Sequence, residues 1–115
     1  MPFLEVRTNV TLDTSQTERF LNVATETVSE LLGKPASYVM VDVSANRSMV
    51  FAAHDSPLCF MRLASIGLPE ERAGDFSSAL CSLAQEQLGV SPDRVYIEFS
   101  SPPRHLWGFN SGTFG

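Results

Sequence analysis

Charge is scarce in this sequence. Charged side chains make up 18% of 115 residues, and eight basic residues against thirteen acidic ones leave a formal charge of −5. A chain so short of cations has no electrostatic basis for holding nucleic-acid phosphates or an anionic membrane surface as a whole, although a local positive patch stays compatible with that balance. No segment has the apolar length of a membrane span, and no basic stretch followed by an apolar core opens the chain, so neither a membrane segment nor a signal peptide is expected. The expected compartment is the cytoplasm. Only two cysteines occur, Cys59 and Cys81, too far apart for a redox or zinc motif; each lies in an apolar run and is read as a reduced core residue, with a disulfide as the alternative. His54 and His105 fall in loop-like segments without a partner pattern and are assigned no chemistry, and none of the usual metal-ligand spacings is present. No metal and no cofactor is therefore expected.

What is present fits one small globular domain, residues 1–115, with 43% hydrophobic residues. At this size association helps a chain bury enough apolar surface, so an oligomer is expected. Residues 2–8 read as a strand, and 9–13 as a loop. Thr14 or Ser15 is the expected N-cap of a first helix with Glu18 in its first turn, and Phe20, Val23, Ala24, Val28, Leu31 and Leu32 form its apolar stripe. Gly33, followed by Lys34 and Pro35, ends it. Residues 38–43 alternate as a strand, with Val39, Val41 and Val43 on one face and Tyr38, Met40 and Asp42 on the other. A turn at 46–48 is expected to lead into a short returning strand at 49–53, and 58–66 is another apolar strand. Glu70 to Leu88 is the second helix, with Gly74 its weak point, and Arg94 to Phe99 is the last strand.

The chain repeats itself. At an offset of 56, Leu32-Gly33 falls on Leu88-Gly89, Val39 on Val95, Val41 on Ile97, Asp42 on Glu98 and Val43 on Phe99. The first strand repeats more loosely at an offset of 55, where Pro2 falls on Pro57 and Arg7 on Arg62. The expected fold is α+β: two β-α-β units, each pairing its strands in parallel through a right-handed crossover, in a four-stranded mixed sheet with two helices on one face. The other face would carry Met40, Asp42, Tyr96 and Glu98, a mixture suited to burial against other subunits. The tail from Ser101 is rich in proline, glycine and aromatics. It reads as a loose end or an arm, and its aromatics favour an arm that docks on a neighbour.

Pro2 has two readings. As an edge-strand proline its missing N–H costs a sheet nothing. If Met1 is removed, which a small second residue permits, Pro2 instead carries a free secondary amine that can act as a base.

The pieces Met1-Pro2-Phe3-Leu4 with Thr8-Asn9, Gly33-Lys34-Pro35 with Tyr38-Val39, Ser65-Ile66-Gly67, Pro92 through Ile97, and Gly108-Phe109-Asn110 with Thr113-Phe114 occur in order over nearly the whole chain. In this the sequence resembles the macrophage migration inhibitory factor and D-dopachrome tautomerase family, within the tautomerase superfamily. The resemblance implies a homotrimer of paired β-α-β units and a cofactor-independent keto-enol tautomerase for small aromatic keto acids of the phenylpyruvate type, with its pocket at a subunit interface. By position it implies Pro2 as catalytic base and acid, with Lys34 and the Ile66 backbone N–H holding a substrate oxygen. Tyr96 would reach in from the neighbouring subunit, Phe109 and Phe114 would form an aromatic wall, and Tyr38 and Met40 would contribute at its edge. It also implies an alternative role as a cytokine-like protein ligand, released without a signal peptide and recognised by a protein receptor.

Three positions depart from the family pattern. Glu98 stands where many relatives have asparagine, so an acceptor-only carboxylate replaces a group that also donates. Its alternatives are a solvent-facing rim carboxylate, a partner for an arginine across the trimer, or a second acid of the kind some superfamily members use, with arginines, to hydrate or dehalogenate unsaturated acids. Phe109 replaces a common tryptophan, keeping the wall without the indole N–H. Leu58 and Met61 occupy the places of a cysteine pair found in some relatives, so thiol-redox activity is not expected.

Overall fold

The computed structural model describes residues 1–115. Four strands, β1 (Pro2–Thr8), β2 (Met40–Ser44), β3 (Cys59–Ser65) and β4 (Val95–Ser100), form one sheet in the order β2-β1-β3-β4. β1 pairs in parallel with β2, and β3 with β4, while the central pair β1–β3 is antiparallel. Each parallel pair needs a long crossover, and helices α1 (Thr14–Leu32) and α2 (Ala73–Leu88) supply them. This is the α+β architecture of two β-α-β units that the internal repeat predicts.

Period-two patterning places the core on one face of this sheet. Leu4, Val6, Met61 and Leu63 are buried without exposed surface and meet Phe20, Ala24 and Val28 of α1 and Phe76, Leu80 and Leu83 of α2. The stripe along α1 is the expected one. Val41, Val43, Val95, Ile97 and Phe99 pack against the same cluster from the outer strands. The opposite face carries Phe3, Met40, Tyr96 and a polar row in which Glu5 is opposite Asp42 and Arg62, and Arg62 is opposite Glu98. No helix of the chain is long and apolar enough to cross a membrane.

Several boundaries differ from the sequence reading. Asp13, not Thr14 or Ser15, caps α1: its carboxylate accepts from Gln16 N at 2.7 Å while the Gln16 side chain accepts from Asp13 N at 2.9 Å. That reciprocal capping box satisfies two otherwise orphaned donors, and it leaves the first turn without an acid. Glu70–Arg72 form a 3₁₀ turn, and α2 starts only at Ala73, so Gly74 lies in its first turn, where it interrupts nothing. Ala36–Tyr38 are likewise a 3₁₀ turn, which delays the second strand to Met40.

The strand expected at 49–53 does not form. Ala52 and Ala53 both take positive φ (54° and 65°), and Phe51 and His54 exchange both backbone hydrogen bonds across them at 3.0 and 3.2 Å. The segment closes on itself as a tight turn and pairs with no strand. In the tail, Gly108–Phe109 (β5) and Gly112–Thr113 (β6) make a small hairpin, and Phe114 N donates to Trp107 O at 3.2 Å. It folds over the amino terminus of its own chain. Cys59 and Cys81 are free thiols, Cys59 buried and Cys81 partly so.

Candidate active site around the amino terminus

Three separate elements converge on residue 1. The β1–β3 register sets Pro2 opposite Ser65, and both are buried. One residue beyond Ser65, Ile66 is buried with 8% of its surface exposed, at the start of a turn that Gly67 permits by its φ of 67°. From another direction α1 ends at Gly33, whose left-handed φ of 62° turns the chain sharply. Lys34 follows at once. Its N–H donates to Ser29 O at 3.1 Å, and Ser29 Oγ donates to Lys34 O at 2.5 Å, which pins the lysine backbone just past the helix. Lys34 is the single lysine of the chain.

The terminal hairpin closes the third side. Trp107, Gly108, Phe109 and Phe114 line a cavity of about 450 Å³ together with Met1, Pro2 and Phe3 and with Tyr38 and Met40. The rings of Phe109 and Phe114 lie stacked with centroids 5.4 Å apart. A second cavity of about 530 Å³ adjoins the first, sharing Met1, Tyr38 and Phe114 with it, and holds Lys34, Ile66, Ser101 and Arg104. One compartment is aromatic and the other cationic, with the amino terminus between them.

The electrostatics of the terminus follow from this placement. With Met1 in place, that residue carries the amine, and the Pro2 nitrogen is a peptide nitrogen without basicity. The amine's pKa lies below its ordinary value of 8.0, first because burial disfavours the ammonium form and then because the charges of Lys34 and Arg104 repel it. Loss of Met1 hands the terminus to Pro2, deeper in the same surroundings.

Of the residues named from sequence, Pro2, Lys34, Ile66, Phe109 and Phe114 come together within one chain, with Tyr38 and Met40 at their edge. Tyr96 and Glu98 do not join them. Glu98 is paired with Arg62, Oε1 accepting from Nε at 2.7 Å, and Arg62 Nη1 reaches Glu5 at 3.2 Å. That row crosses the open face three residues along β3 from Ser65, roughly 10 Å away. Among the alternatives for Glu98, the arginine partner exists, but in its own chain. Tyr96 packs against Phe51 with ring centroids 4.5 Å apart and planes tilted by 36°, and lines a separate, wholly apolar cleft with Met49, Val50 and Leu58. It is 65% exposed.

The sequence reading missed Arg104 and Trp107 at the site. Arg104 follows Pro102-Pro103 at the start of an aromatic tail in a chain poor in cations, which was the available signal. His54, assigned no chemistry, has a structural part: its Nε2 lies 3.1 Å from Arg94 Nη1, so that nitrogen is the acceptor and Nδ1, 3.2 Å from Ser56 Oγ, carries the proton.

Comparison with known proteins identifies the family. The family model described as macrophage migration inhibitory factor matches residues 1–115. The macrophage migration inhibitory factor of Mus musculus is 36% identical over 115 residues, 99% of each chain. The homolog from Brugia malayi is 33% identical over 116 residues, covering 100% of both. Among solved structures, the homologue from Prochlorococcus marinus superposes with a TM-score of 0.91 at 32% identity, over 98% of this chain and 99% of that one. The macrophage migration inhibitory factor of Trichinella spiralis gives 0.89 at 29% identity, over 97% and 99%. With whole-chain matches in both sequence and fold, this protein belongs to the macrophage migration inhibitory factor family.

Proposed function

We propose that this protein is a cofactor-independent keto-enol tautomerase for phenylpyruvate-like aromatic α-keto acids, with the Pro2 amine, freed by removal of Met1, as general base and acid. The observation that carries this reading is the position of the amino terminus, at the junction of an aromatic cavity and a cationic one, in surroundings that lower the pKa of its amine. A base for carbon acids works best when it is neutral near the operating pH, and a lowered amine pKa provides that.

In the reaction the Pro2 nitrogen takes a proton from the carbon next to the ketone, and the electron pair moves onto the ketone oxygen. Lys34 and the Ile66 N–H stabilise the resulting enolate, and the prolinium returns a proton to oxygen or carbon. Phe109, Phe114 and Trp107 hold the ring and keep water from it. Such a positioned base contributes about 10² to 10⁴ in rate.

The active unit in this reading is a homotrimer. The sheet face opposite the helices exposes Met40 and Tyr96, each 65% accessible, and the apolar cleft beside Tyr96 adds to that surface. Packing a second copy there would let its Tyr96 approach the pocket that no Tyr96 enters within one chain. Glu98 would approach by the same route. Cytoplasmic residence, with release that needs no signal peptide, belongs to the same reading.

Following the loss of phenylpyruvate enol absorbance with Met1-free protein tests the proposal. Wild type should turn the enol over while Pro2→Gly and Met1-retaining protein are slower by about 10² or more. Equal rates in wild type and Pro2→Gly would end it. A second reading, a cytokine-like protein ligand for a receptor, is favoured by the full-length match to the macrophage migration inhibitory factor of Mus musculus. Receptor binding that survives Pro2→Gly would separate it from catalysis.

A further inference from the structure

Arg104 sits at the cationic end of the site and has no carboxylate partner. Its Nε donates to Phe114 O at 3.2 Å, and its two terminal nitrogens make no hydrogen bond within the chain. The ion pairs of the protein involve Arg7, Arg62 and Arg72 only, so Lys34 and Arg104 are both unpaired. The cavity they share contains no aspartate or glutamate, in a protein whose net charge is −5. Two cations that pair with no side-chain carboxylate in an acidic protein make a local well for an anion.

The backbone around Arg104 fixes where that charge points. Residues Arg104–Leu106 form a 3₁₀ turn, and the chain end packs onto it so closely that a Cβ on Gly115 would lie 3.1 Å from Arg104 Cβ. The Nε bond ties the guanidinium to the backbone carbonyl of Phe114, the residue whose ring forms one half of the aromatic wall. A planar guanidinium held by Nε keeps its Nη groups free for a carboxylate, a geometry a lysine cannot supply.

We propose that Arg104 is a second anion-binding residue of this site, acting with Lys34 on the carboxylate of a ligand whose aromatic ring lies against Phe109 and Phe114. This rests on the tautomerase reading for its substrate and narrows it: the site selects aromatic acids over their uncharged esters and amides. Arg104 is a specificity residue and exchanges no proton.

The single tryptophan, Trp107, lines the aromatic cavity and reports occupancy independently of turnover. Its fluorescence is titrated with 3-phenylpropanoate, which carries the ring and carboxylate but no ketone, and with the uncharged 3-phenylpropanamide. In Met1-free protein the acid should bind more tightly than the amide. Arg104→Gln should weaken the acid about five- to tenfold and leave the amide within twofold, and Arg104→Lys should keep part of the preference. Loss below twofold for the acid, equal loss for acid and amide, or no saturable binding of the acid by wild type would each overturn the proposal. Because no ketone is present, these outcomes are separate from Pro2→Gly kinetics: the acid preference can hold where turnover fails.

Discussion

The rings of Phe109 and Phe114 lie parallel within 16°, centroids 5.4 Å apart, bracketing the turn of the terminal hairpin beside Met1 and Tyr38. They come from strand β5 and from the residue after β6, so the hairpin itself sets their spacing. Aromatic pairs of this kind are worth about 0.5–1.5 kcal/mol beyond their buried area. Phe114→Ala, removing the less exposed ring, is expected to raise KM for an aromatic keto acid about tenfold and to change KM for a small aliphatic keto acid little. Phe109→Ala should have a smaller effect, since that ring is 58% exposed. Steady-state kinetics on both substrates checks this, and the double variant should fall short of the summed effects because the rings touch.

The terminal amine predicts a pH dependence. The Met1 amine has its pKa lowered from 8.0 by burial and by the charges of Lys34 and Arg104, and the Pro2 amine that takes over the terminus in these surroundings is expected to share that direction, so kcat/KM should rise with pH through an inflection below 8.0. Lys34 is one of the two charges that lower it, so Lys34→Met should move the inflection upward as well as weaken substrate binding. The stability effect has the same sign. Between the folded and unfolded pKa values the unfolded chain binds more protons, so the amine's contribution to stability is complete above 8.0 and is lost as pH falls through the folded value. A pH–rate profile on Met1-free protein, wild type and Lys34→Met, reads the inflection directly; an unmoved inflection in Lys34→Met would remove the lysine from the amine's surroundings.

Arg94 is the structural counterpart of the unpaired Arg104. It is 9% exposed and donates to Phe51 O at 2.7 Å, Ser56 O at 2.9 Å and His54 O at 3.1 Å, with its guanidinium over the Phe51 ring. It replaces the strand pairing that residues 49–53 do not make. Arg94→Ala would strip several partly buried carbonyls of their donor at once, and a loss of about 2–4 kcal/mol is expected by urea denaturation. Enol turnover at low temperature should persist in the folded fraction, because no Arg94 contact reaches the cavity at Met1.

The two thiols should differ sharply in reactivity. Burial pushes the Cys59 pKa up to about 12, so almost no thiolate exists at neutral pH, whereas Cys81 is only partly covered. A maleimide or disulfide reagent at pH 7.5 is expected to label Cys81 first and Cys59 only on unfolding. Mass spectrometry of the singly labelled protein locates the adduct. Labelling of Cys59 in the native state would mean that β3 opens far more readily than its fully buried neighbours imply.

Much of the fold was legible from local patterning. The bounds of β1, the α1 stripe through Phe20, Ala24 and Val28, and the C-cap glycines at 33 and 89 follow from side-chain periodicity and from φ values that only glycine takes easily. The repeat at an offset of 56 anticipated the parallel pairs, because two like β-α-β units meet the same steric demand for a crossover. What failed was also local. Asp13 caps α1 in place of the expected Thr14 or Ser15, and the alanines at 52 and 53 carry no turn signal of their own, while Arg94, distant in sequence, holds the Phe51 carbonyl beside them.

The site divides in the same manner. The family resemblance named Pro2, Lys34, Ile66, Tyr96, Glu98, Phe109 and Phe114 as candidates. The sequence alone does not show that the tail returns to its own amino terminus, that Arg104 and Lys34 share a cavity lined by no aspartate or glutamate, or that Glu98 is held by Arg62. Chain composition sets which charges and rings exist, and short-range sterics set where helices and strands begin. Which cation is left unpaired depends on distances across the fold, because a charge is neutralised only by groups within a few ångströms of it, whatever their separation along the chain.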